Sequence, residues 1–162
     1  LIARRGYDVV LFDLLGDIVC GGFATPLRKG FGRKVVIVVS DELMSLYAAN
    51  NIARAVVNTR RNGVVLCGLV ANLKDPGADI EMVQRFAARL GTTVLATLNR
   101  DRRFRKAEYE RVTLAELAPR SKTVKTLRDL AMQLLRMDPD SRPVPEPMED
   151  EQFYQLSREA FR

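Results

Sequence analysis

The residues best suited to chemistry lie in one short stretch, residues 11–26, which reads LFDLLGDIVCGGFATP. Asp13 and Gly16 fit the D-x-x-G pattern of nucleotide-triphosphate switches, in which the acid holds Mg²⁺ through water and the glycine N–H meets a terminal phosphate. An acid that ends an apolar run is also a common cap or turn residue. The pattern alone therefore leaves a phosphate sensor and a turn as open alternatives.

Two further residues of this stretch could act chemically. Asp17 could orient or deprotonate an attacking water as a general base, or it could be a solvated loop acid. Cys20 is followed by Gly21 and Gly22, whose backbone N–H groups could stabilise a thiolate or the sulfurs of an iron–sulfur cluster. One cysteine cannot hold a cluster that needs four thiolates, so such a site would be shared across a two-fold axis. A free structural cysteine is the alternative.

Polar residues end two apolar runs further along the chain. Asn72 could read a purine base with its amide, or it could cap a turn. The next run ends in Asn99, Arg100 and Asp101, which occupy the equivalent rim. A basic cluster follows, made up of Arg102, Arg103, Arg105 and Lys106. This cluster could be a solvated face, or it could bind phosphate or an acidic protein.

Several kinds of site are excluded by what the sequence lacks. It contains no histidine, which excludes Ser-His-Asp and Cys-His catalysis and His-based metal sites within this chain. No P-loop of the form G-x-x-x-x-G-K-[ST] occurs, and the nearest stretch, residues 29–34, lacks the required ending. The second cysteine, Cys67, lies inside an apolar run and is expected to be a core thiol. Two cysteines make no disulfide framework, so we expect a reducing, cytoplasmic compartment.

Composition is that of an ordinary globular domain. A chain of 162 residues with 47% hydrophobic residues can bury a real core, so disorder is not its main state. The net charge of +6 permits an acidic or polyanionic partner without requiring one. No apolar run approaches the roughly 18 residues needed to span a bilayer. The sequence therefore predicts one globular domain, or most of one, with no membrane segment.

Four short, β-branched-rich runs must position the polar residues. They are apolar at nearly every place, which is typical of strands buried on both faces of a parallel sheet, and they cover residues 8–13, 34–39, 64–71 and 92–98. Helical patterns cover residues 42–61, 80–90, 112–117 and 124–137. Ser40 and Asp41 are expected to cap the first helix, and Gly91 to end the second. The alternation predicts an α/β fold with a doubly wound, mostly parallel sheet, in which ligands bind beyond the carboxyl ends of the strands.

Both ends of the chain carry organisational signals. Residues 1–5 read as the last turn of a helix that Gly6 closes in a left-handed conformation, and we expect the natural chain to begin upstream. Residues 1–137 are then predicted to be the C-terminal portion of a nucleotide-dependent domain whose P-loop lies upstream. Residues 138–148 are Pro-rich and acidic and predict an extended linker, and residues 149–162 predict a tail helix. We expect the tail to wrap over a second subunit or a partner.

Two stretches together carry a specific resemblance. Residues 11–26 and residues 40–56, which read SDELMSLYAANNIARAV, resemble the nitrogenase iron protein family, and the likeness runs to about Met137. The family includes the reductase components of protochlorophyllide, chlorophyllide, nickel-sirohydrochlorin and methylthio-alkane reductases. The resemblance implies a P-loop NTPase-like fold of the deviant Walker type. It also implies a homodimer that holds one [4Fe–4S] cluster between its subunits.

The same resemblance implies an activity and partners. Electrons would pass from the cluster to a larger, heterotetrameric nitrogenase-like catalytic component, and hydrolysis of MgATP to MgADP would gate that transfer. A ferredoxin or flavodoxin would be the upstream donor, and neither nucleic acid nor a membrane would be a partner. The short path from Asp13 to Cys20 gives a physical reason for the coupling, because a γ-phosphate-dependent shift at Gly16 can move the cluster within one loop's length.

Residue roles in the first stretch also follow from the resemblance. Cys20 would be one of the two cluster ligands of each subunit, the other lying upstream of Leu1. Asp13 and Gly16 match the switch that links nucleotide state to the cluster, with Asp13 binding Mg²⁺ through water. Asp17 matches the acid that acts on the hydrolytic water.

The remaining matches lie outside that switch. Asn72 matches an asparagine on the adenine side, and Arg100 and Asp101, with Asn99, match the strand end that lines the nucleotide. Arg28 matches a basic residue that docks on the catalytic partner.

Several positions depart from the nitrogenase pattern. Asn99 stands where the family usually has Pro, Leu127 where it has a base-packing Tyr, and Lys29 where it has an acidic docking residue. Arg105 and Thr123 stand where Gln is usual. These departures favour a nitrogenase-like reductase with a different catalytic partner, such as the methylthio-alkane or the (bacterio)chlorophyll-type branch.

Two other functions are compatible with the residues alone. A partition-type ATPase of the same broad fold would bind DNA or a membrane surface, and its binding to polyanions would fall steeply with salt. A non-catalytic α/β scaffold would show no saturable binding of nucleotide. Neither of them would need Cys20, which therefore discriminates them from the electron donor.

Overall fold

The computed structural model describes residues 6–14, 32–75 and 77–160. Three strands form the sheet: β1 (Lys34–Val39), β2 (Val65–Leu73) and β3 (Val94–Asn99). The helices in chain order are α1 (Leu43–Thr59), α2 (Ile80–Arg89), α3 (Arg102–Glu110), α4 (Leu114–Leu117), α5 (Lys122–Arg136) and α6 (Asp150–Ala160). Short 3₁₀ turns follow α1 and α5, at Arg60–Asn62 and Pro139–Ser141.

The sheet is parallel and its strands lie in the order β1-β2-β3. Helices α1 and α2 pack over one face, α1 against β1 and β2 and α2 against β2 and β3. Helix α5 packs against β3 and reaches β1, where the Lys34 ammonium donates to the Leu134 carbonyl at 2.6 Å. Lys34 and the core residue Ile37 are three places apart on β1, so their side chains point to opposite faces of the sheet. Helix α5, which Lys34 contacts, therefore lies on the face opposite to α1 and α2. The predicted α/β fold with a parallel sheet is confirmed.

Residues 8–13 differ from the prediction, because this run forms no strand in the part of the chain that the structure describes. Its side chains are exposed, Leu11 at 90% and Val9 at 54% of their full areas. A strand that is apolar on both faces needs a ladder partner and cover on each side. Among the described residues, β1 pairs with β2, and no strand pairs with residues 8–13.

Helix α3 was not predicted from the sequence. Ala107 is its single buried residue, so it lacks the apolar period that identifies an amphipathic helix. It begins at Asp101, whose side chain accepts from the Arg103 N–H at 2.9 Å, and a Lys106–Glu110 ion pair spans one turn. Local capping, and not burial, therefore accounts for this helix.

The expected cap of α1 is wrong, whereas the expected stop of α2 is confirmed. Glu42 is the N-cap residue of α1 and no side chain caps that helix. The Asp41 carboxylate instead accepts from the Asp79 N–H at 2.9 Å, which ties the start of α1 to the start of α2. Gly91 follows α2 with φ of 70°, and Gly6 also adopts a left-handed φ, 64°.

The main core lies between the sheet and helices α1, α2 and α6. Its largest fully buried side chains include Phe86 of α2, Phe153 of α6 and Leu46 of α1. The ring of Phe153 meets those of Phe86 and Tyr47 edge-on, with centroids 6.3 and 5.4 Å apart. The chain end after α5 is thus part of the core.

Gly68 marks the closest approach of two strands. Its φ is 153°, and a Cβ at this position would come within 2.6 Å of Leu95 Cγ and 2.8 Å of the Thr93 carbonyl oxygen. The register between the strands shifts beside it, at Leu69/Val70 on the β3 side and at Val35/Val36 on the β1 side. Only glycine fits this bulge in the middle of the sheet.

The tail returns over its own subunit. The Asn50 amide donates to the Met148 carbonyl at 2.7 Å and accepts from the Met148 N–H at 2.8 Å, and Asn50 is fully buried. The Glu146 N–H donates to the Leu90 carbonyl, and Arg33 pairs with Asp140 at 2.7 Å. The described part of the tail packs into the core of its own chain, and its expected wrapping over a second subunit or partner stays a prediction.

Candidate functional site

An open cleft of about 240 Å³ lies beyond the carboxyl end of β3. The starts of α3 and α5 form its other walls, because α5 packs against β3 and brings its first turn beside the strand end. Ligands of open α/β sheets bind at such an edge. The lining residues are Thr97, Leu98, Asn99, Arg100, Asp101, Arg102, Arg103, Lys122, Thr123 and Thr126.

Asp101 is the most constrained side chain of this cleft. Its carboxylate accepts from Arg103 Nη2 at 2.7 Å and from Arg103 Nε at 2.8 and 3.0 Å. The Thr123 hydroxyl donates to the same carboxylate at 2.7 Å, and the Arg103 N–H donates at 2.9 Å. One carboxylate therefore caps α3 and ties it to the first turn of α5.

Arg103 holds the pKa of Asp101 well below its usual range, chiefly through these side-chain hydrogen bonds, with a further contribution from Thr123. Burial opposes this effect, since only 9% of the Asp101 side chain is exposed. The carboxylate is consequently ionised at neutral pH, and its acceptor positions are largely filled by groups of this chain. Asp101 therefore positions the walls of the cleft, and a ligand would contact the neighbouring side chains and not the Asp101 carboxylate.

Cations dominate the rim of the cleft. Arg100, Arg102 and Lys122 are exposed and form no salt bridge with any residue that the structure describes. Arg103 neutralises Asp101, so the uncompensated charge at the rim is positive. Guanidinium planes can stack on a nucleobase, and ammonium groups attract phosphate. Among the residues that the structure describes, no aromatic side chain lines the cleft, and Leu127 does not line it either.

The predicted nucleotide residues are only partly brought together. Asn99, Arg100 and Asp101 line one cleft. Asn72 is exposed on the neighbouring strand, where it is registered with Leu98, and it does not line that cleft. Asp13 is exposed among residues 6–14.

Four predicted residues lie outside the described part of the chain. They are Gly16, Asp17, Cys20 and Arg28. The proposed roles of these residues in phosphate sensing, water activation, cluster binding and docking stay predictions.

Sequence reasoning pointed to α5 only through Thr123 and Leu127, where the family has Gln and Tyr. It did not single out Lys122 and Thr126, which line the cleft from the first two turns of that helix. Their sequence signal is slight, since Ser121 marks a helix start without indicating what lies beside it. Lys122 and Thr126 reach the cleft because α5 packs on β3, and the residue pattern of α5 does not indicate that long-range contact.

Cys67 does not fit a metal or cluster site. It is 1% exposed on β2, and burial raises the pKa of its thiol, which disfavours the thiolate that binds iron. Within residues 6–14, 32–75 and 77–160, no group of three His, Cys, Asp or Glu side chains is placed to hold a metal ion. Cys20 is therefore the one thiol of this chain that remains as a candidate cluster ligand.

The fold and the cleft define the class of protein. The cell division ATPase MinD of Pyrococcus furiosus has a similar structure, with a TM-score of 0.52 and 18% identity. The match covers 67% of this chain and 45% of that one. The class is thus an α/β protein with a fold like that of the P-loop ATPases. The likeness concerns the fold alone.

The family follows from sequence comparison. Residues 2–161 match the family of 4Fe-4S iron sulfur cluster binding proteins, NifH/frxC type, and the chain belongs to this family. The resemblance found in the sequence is thereby confirmed. Nitrogenase iron proteins 2 and 1 of Methanothermobacter thermautotrophicus are 40% identical over 157 residues and 35% identical over 156 residues.

These matches cover 97% and 96% of this chain, and 57% and 56% of the two relatives. The chain thus spans a little more than half the length of the relatives it matches. In the part of the chain that the structure describes, no helix combines the length and apolarity needed to cross a membrane.

Proposed function

We propose that this chain is part of an ATP-dependent iron–sulfur reductase that donates electrons to a larger nitrogenase-like catalytic component. A [4Fe–4S] cluster would lie between two copies of the protein, and MgATP hydrolysis would control its electron transfer. The single observation that carries the proposal is the family match over residues 2–161, in a family named for its 4Fe–4S cluster.

The thiols of the chain support a shared cluster. A [4Fe–4S] cluster takes four thiolates, and Cys67 is buried inside the sheet. Cys20 can supply one thiolate per copy, so two copies supply two of the four, and by the family resemblance each copy would supply one more from outside the sequence given. The cluster, when bound, supplies one-electron chemistry at low potential. Gly21 and Gly22 could offer backbone N–H groups to the cluster sulfurs, as the sequence predicts.

The cleft beyond β3 is suited to the nucleoside end of MgATP. Its volume of about 240 Å³ is below that of pockets that enclose a whole ligand of nucleotide size. Arg100 or Arg102 would stack on the base, in place of the aromatic ring that the cleft lacks. Asp101 would act as a positioning residue, because Arg103 and Thr123 already occupy its carboxylate.

The switch residues supply the proposed coupling. Asp13 would bind Mg²⁺ through water, Gly16 would contact the terminal phosphate, and Asp17 would orient the attacking water. Cys20 follows Gly16 by four residues in the sequence, so a movement at Gly16 would reach the cluster over a short stretch of chain. The direct electron acceptor and donor would be proteins, docked at the face that bears Arg28 and the cluster.

The test compares the two cysteines in the native, full-length protein isolated without oxygen. Cys20→Ser should abolish the visible absorption and the electron paramagnetic resonance signal of a reduced [4Fe–4S] cluster. Cys67→Ala is the matched control, and it should keep both signals because that thiol lies in the core. Loss of the cluster in the control with retention in Cys20→Ser would overturn the assignment, and a wild-type protein that takes up no iron would overturn the function.

A further inference from the structure

Helix α3 presents a cationic face of which the proposed reductase function uses only Arg102. Arg105 and Lys106 lie three and four residues after Arg102, and Tyr109 lies four and three residues after them, so all four lie on one side of the helix. Ala107, 4% exposed, is the residue that anchors the helix from the other side. The face lies beside the cleft beyond β3, although most of it points away from the cleft.

Little within the chain neutralises this face. Arg102 and Arg105 form no salt bridge with a described residue, and Lys106 meets Glu110 at 3.6 Å with both side chains substantially exposed. Arg100 and Lys122 extend the positive surface toward the cleft. A like-charged cluster carries a cost of mutual repulsion, which an acidic partner would relieve.

One aromatic side chain accompanies the cations. Tyr109 is 81% exposed at the end of the face, whereas Phe104, 43% exposed, lies on the opposite side of the helix with Ala107. Tyrosine and arginine are the residue types that contribute most to protein–protein binding, because they bury a large area at low conformational cost. An exposed aromatic ring beside three cations is thus more than a solubilising surface.

We propose that this face of α3 docks an acidic segment of another protein. A second copy of this chain, with its net charge of +6, is a poor match for the face. Nucleic acid is the other polyanion that this face could attract, and the test below separates it from an acidic protein segment. The helix has nine residues and spans about 13 Å, which fits a short acidic segment of a protein surface.

The test uses the full chain and two labelled probes. One is a helical peptide of Glu and Asp around a central Leu, and the other is an oligothymidylate of the same charge. Binding is followed by fluorescence anisotropy at low and high salt. Reversing Arg102, Arg105 and Lys106 to Glu should weaken the peptide at least about tenfold, since three attractive charges become repulsive.

Two variants separate a docking site from general attraction. Reversing Arg61, Lys74 and Arg89, which are exposed elsewhere, changes the net charge equally and should leave peptide affinity within about twofold. Tyr109→Ala keeps every charge and should weaken the peptide about threefold or more.

The proposal fails if the control triple variant loses as much affinity as the α3 variant, or if Tyr109→Ala has no effect. It also fails if the oligothymidylate binds the wild type more tightly than the peptide does, or if the chain binds neither probe. Circular dichroism checks that each variant is folded. Should the Glu substitutions unfold α3, changing Arg102, Arg105 and Lys106 to Gln removes the charges without repulsion and gives the same comparison.

Discussion

Asn50 offers the sharpest test of how the tail is held. Its amide is fully buried in α1 and forms two hydrogen bonds with the backbone of Met148, at 2.7 and 2.8 Å. Asn50→Ala removes both. The Met148 carbonyl keeps a partner, because Arg54 Nη2 donates to it at 2.8 Å, whereas the Met148 N–H is left buried without the acceptor that it has now. The substitution therefore costs more free energy at the Met148 N–H than at the Met148 carbonyl.

The expected magnitude follows from that inequality. A buried N–H without a partner costs about 1–3 kcal/mol, and the lost bond to the carbonyl costs about 0.5–1.5 kcal/mol. Alanine returns about 0.5 kcal/mol of helix propensity. The net loss in free energy of unfolding is therefore about 1–4 kcal/mol. With a urea m-value of about 2 kcal/mol/M, the unfolding midpoint should fall by about 0.5–2 M.

Urea unfolding followed by circular dichroism measures this change. The matched control is Asn58→Ala, on the same helix but exposed, which should leave the midpoint unchanged or raise it slightly. A loss below about 0.5 kcal/mol in Asn50→Ala would refute the reasoning, because it would mean that the tail is not held on α1 by this amide.

Two further predictions concern the sheet and the cleft. Gly68→Ala should lower the free energy of unfolding by about 2–4 kcal/mol in a thermal unfolding experiment, because a Cβ there meets Leu95 and the Thr93 carbonyl. Gly77→Ala, whose Cβ would have nothing within 4 Å, should be close to neutral in that experiment. Equal effects of the two substitutions would contradict the close approach. Asp101→Asn should cost about 1–2 kcal/mol at pH 7, since it weakens a helix cap and a charged hydrogen-bond pair. The folded-state pKa of Asp101 is lowered, so its stabilisation is complete above the ordinary aspartate range near about 4 and is lost as the pH falls below it. The difference in free energy of unfolding between the wild type and Asp101→Asn should therefore shrink between about pH 4 and pH 2. The control Asp129→Asn, at an exposed position, should show no such difference at either pH. A difference that widened in acid would contradict the argument.

The parts of the fold that the sequence predicts are those set by local pattern. The run at Lys34–Val39 is apolar at every position after Lys34 and becomes β1 with the predicted bounds. Gly91 ends α2 because a left-handed residue must follow it, and glycine adopts that conformation freely. Such signals need only the neighbouring residues.

The parts that it misses are set by distant contacts. Residues 8–13 have the composition of a buried strand, yet composition does not supply the neighbouring strand that would pair with them. Helix α3 lacks apolar periodicity and depends on Asp101. The cleft was foreseen at Asn99, Arg100 and Asp101, but its far wall comes from α5, which is more than twenty residues away in sequence.

The central claim is that two copies of the protein share one cluster, and iron counting in the native, full-length protein tests it most directly. Iron analysis combined with light scattering, under strictly anaerobic conditions, should give a dimeric mass and two irons per chain, which is one [4Fe–4S] cluster for each pair of chains. Four irons on a monomeric chain, or a dimer that stays free of iron after reconstitution, would contradict the account.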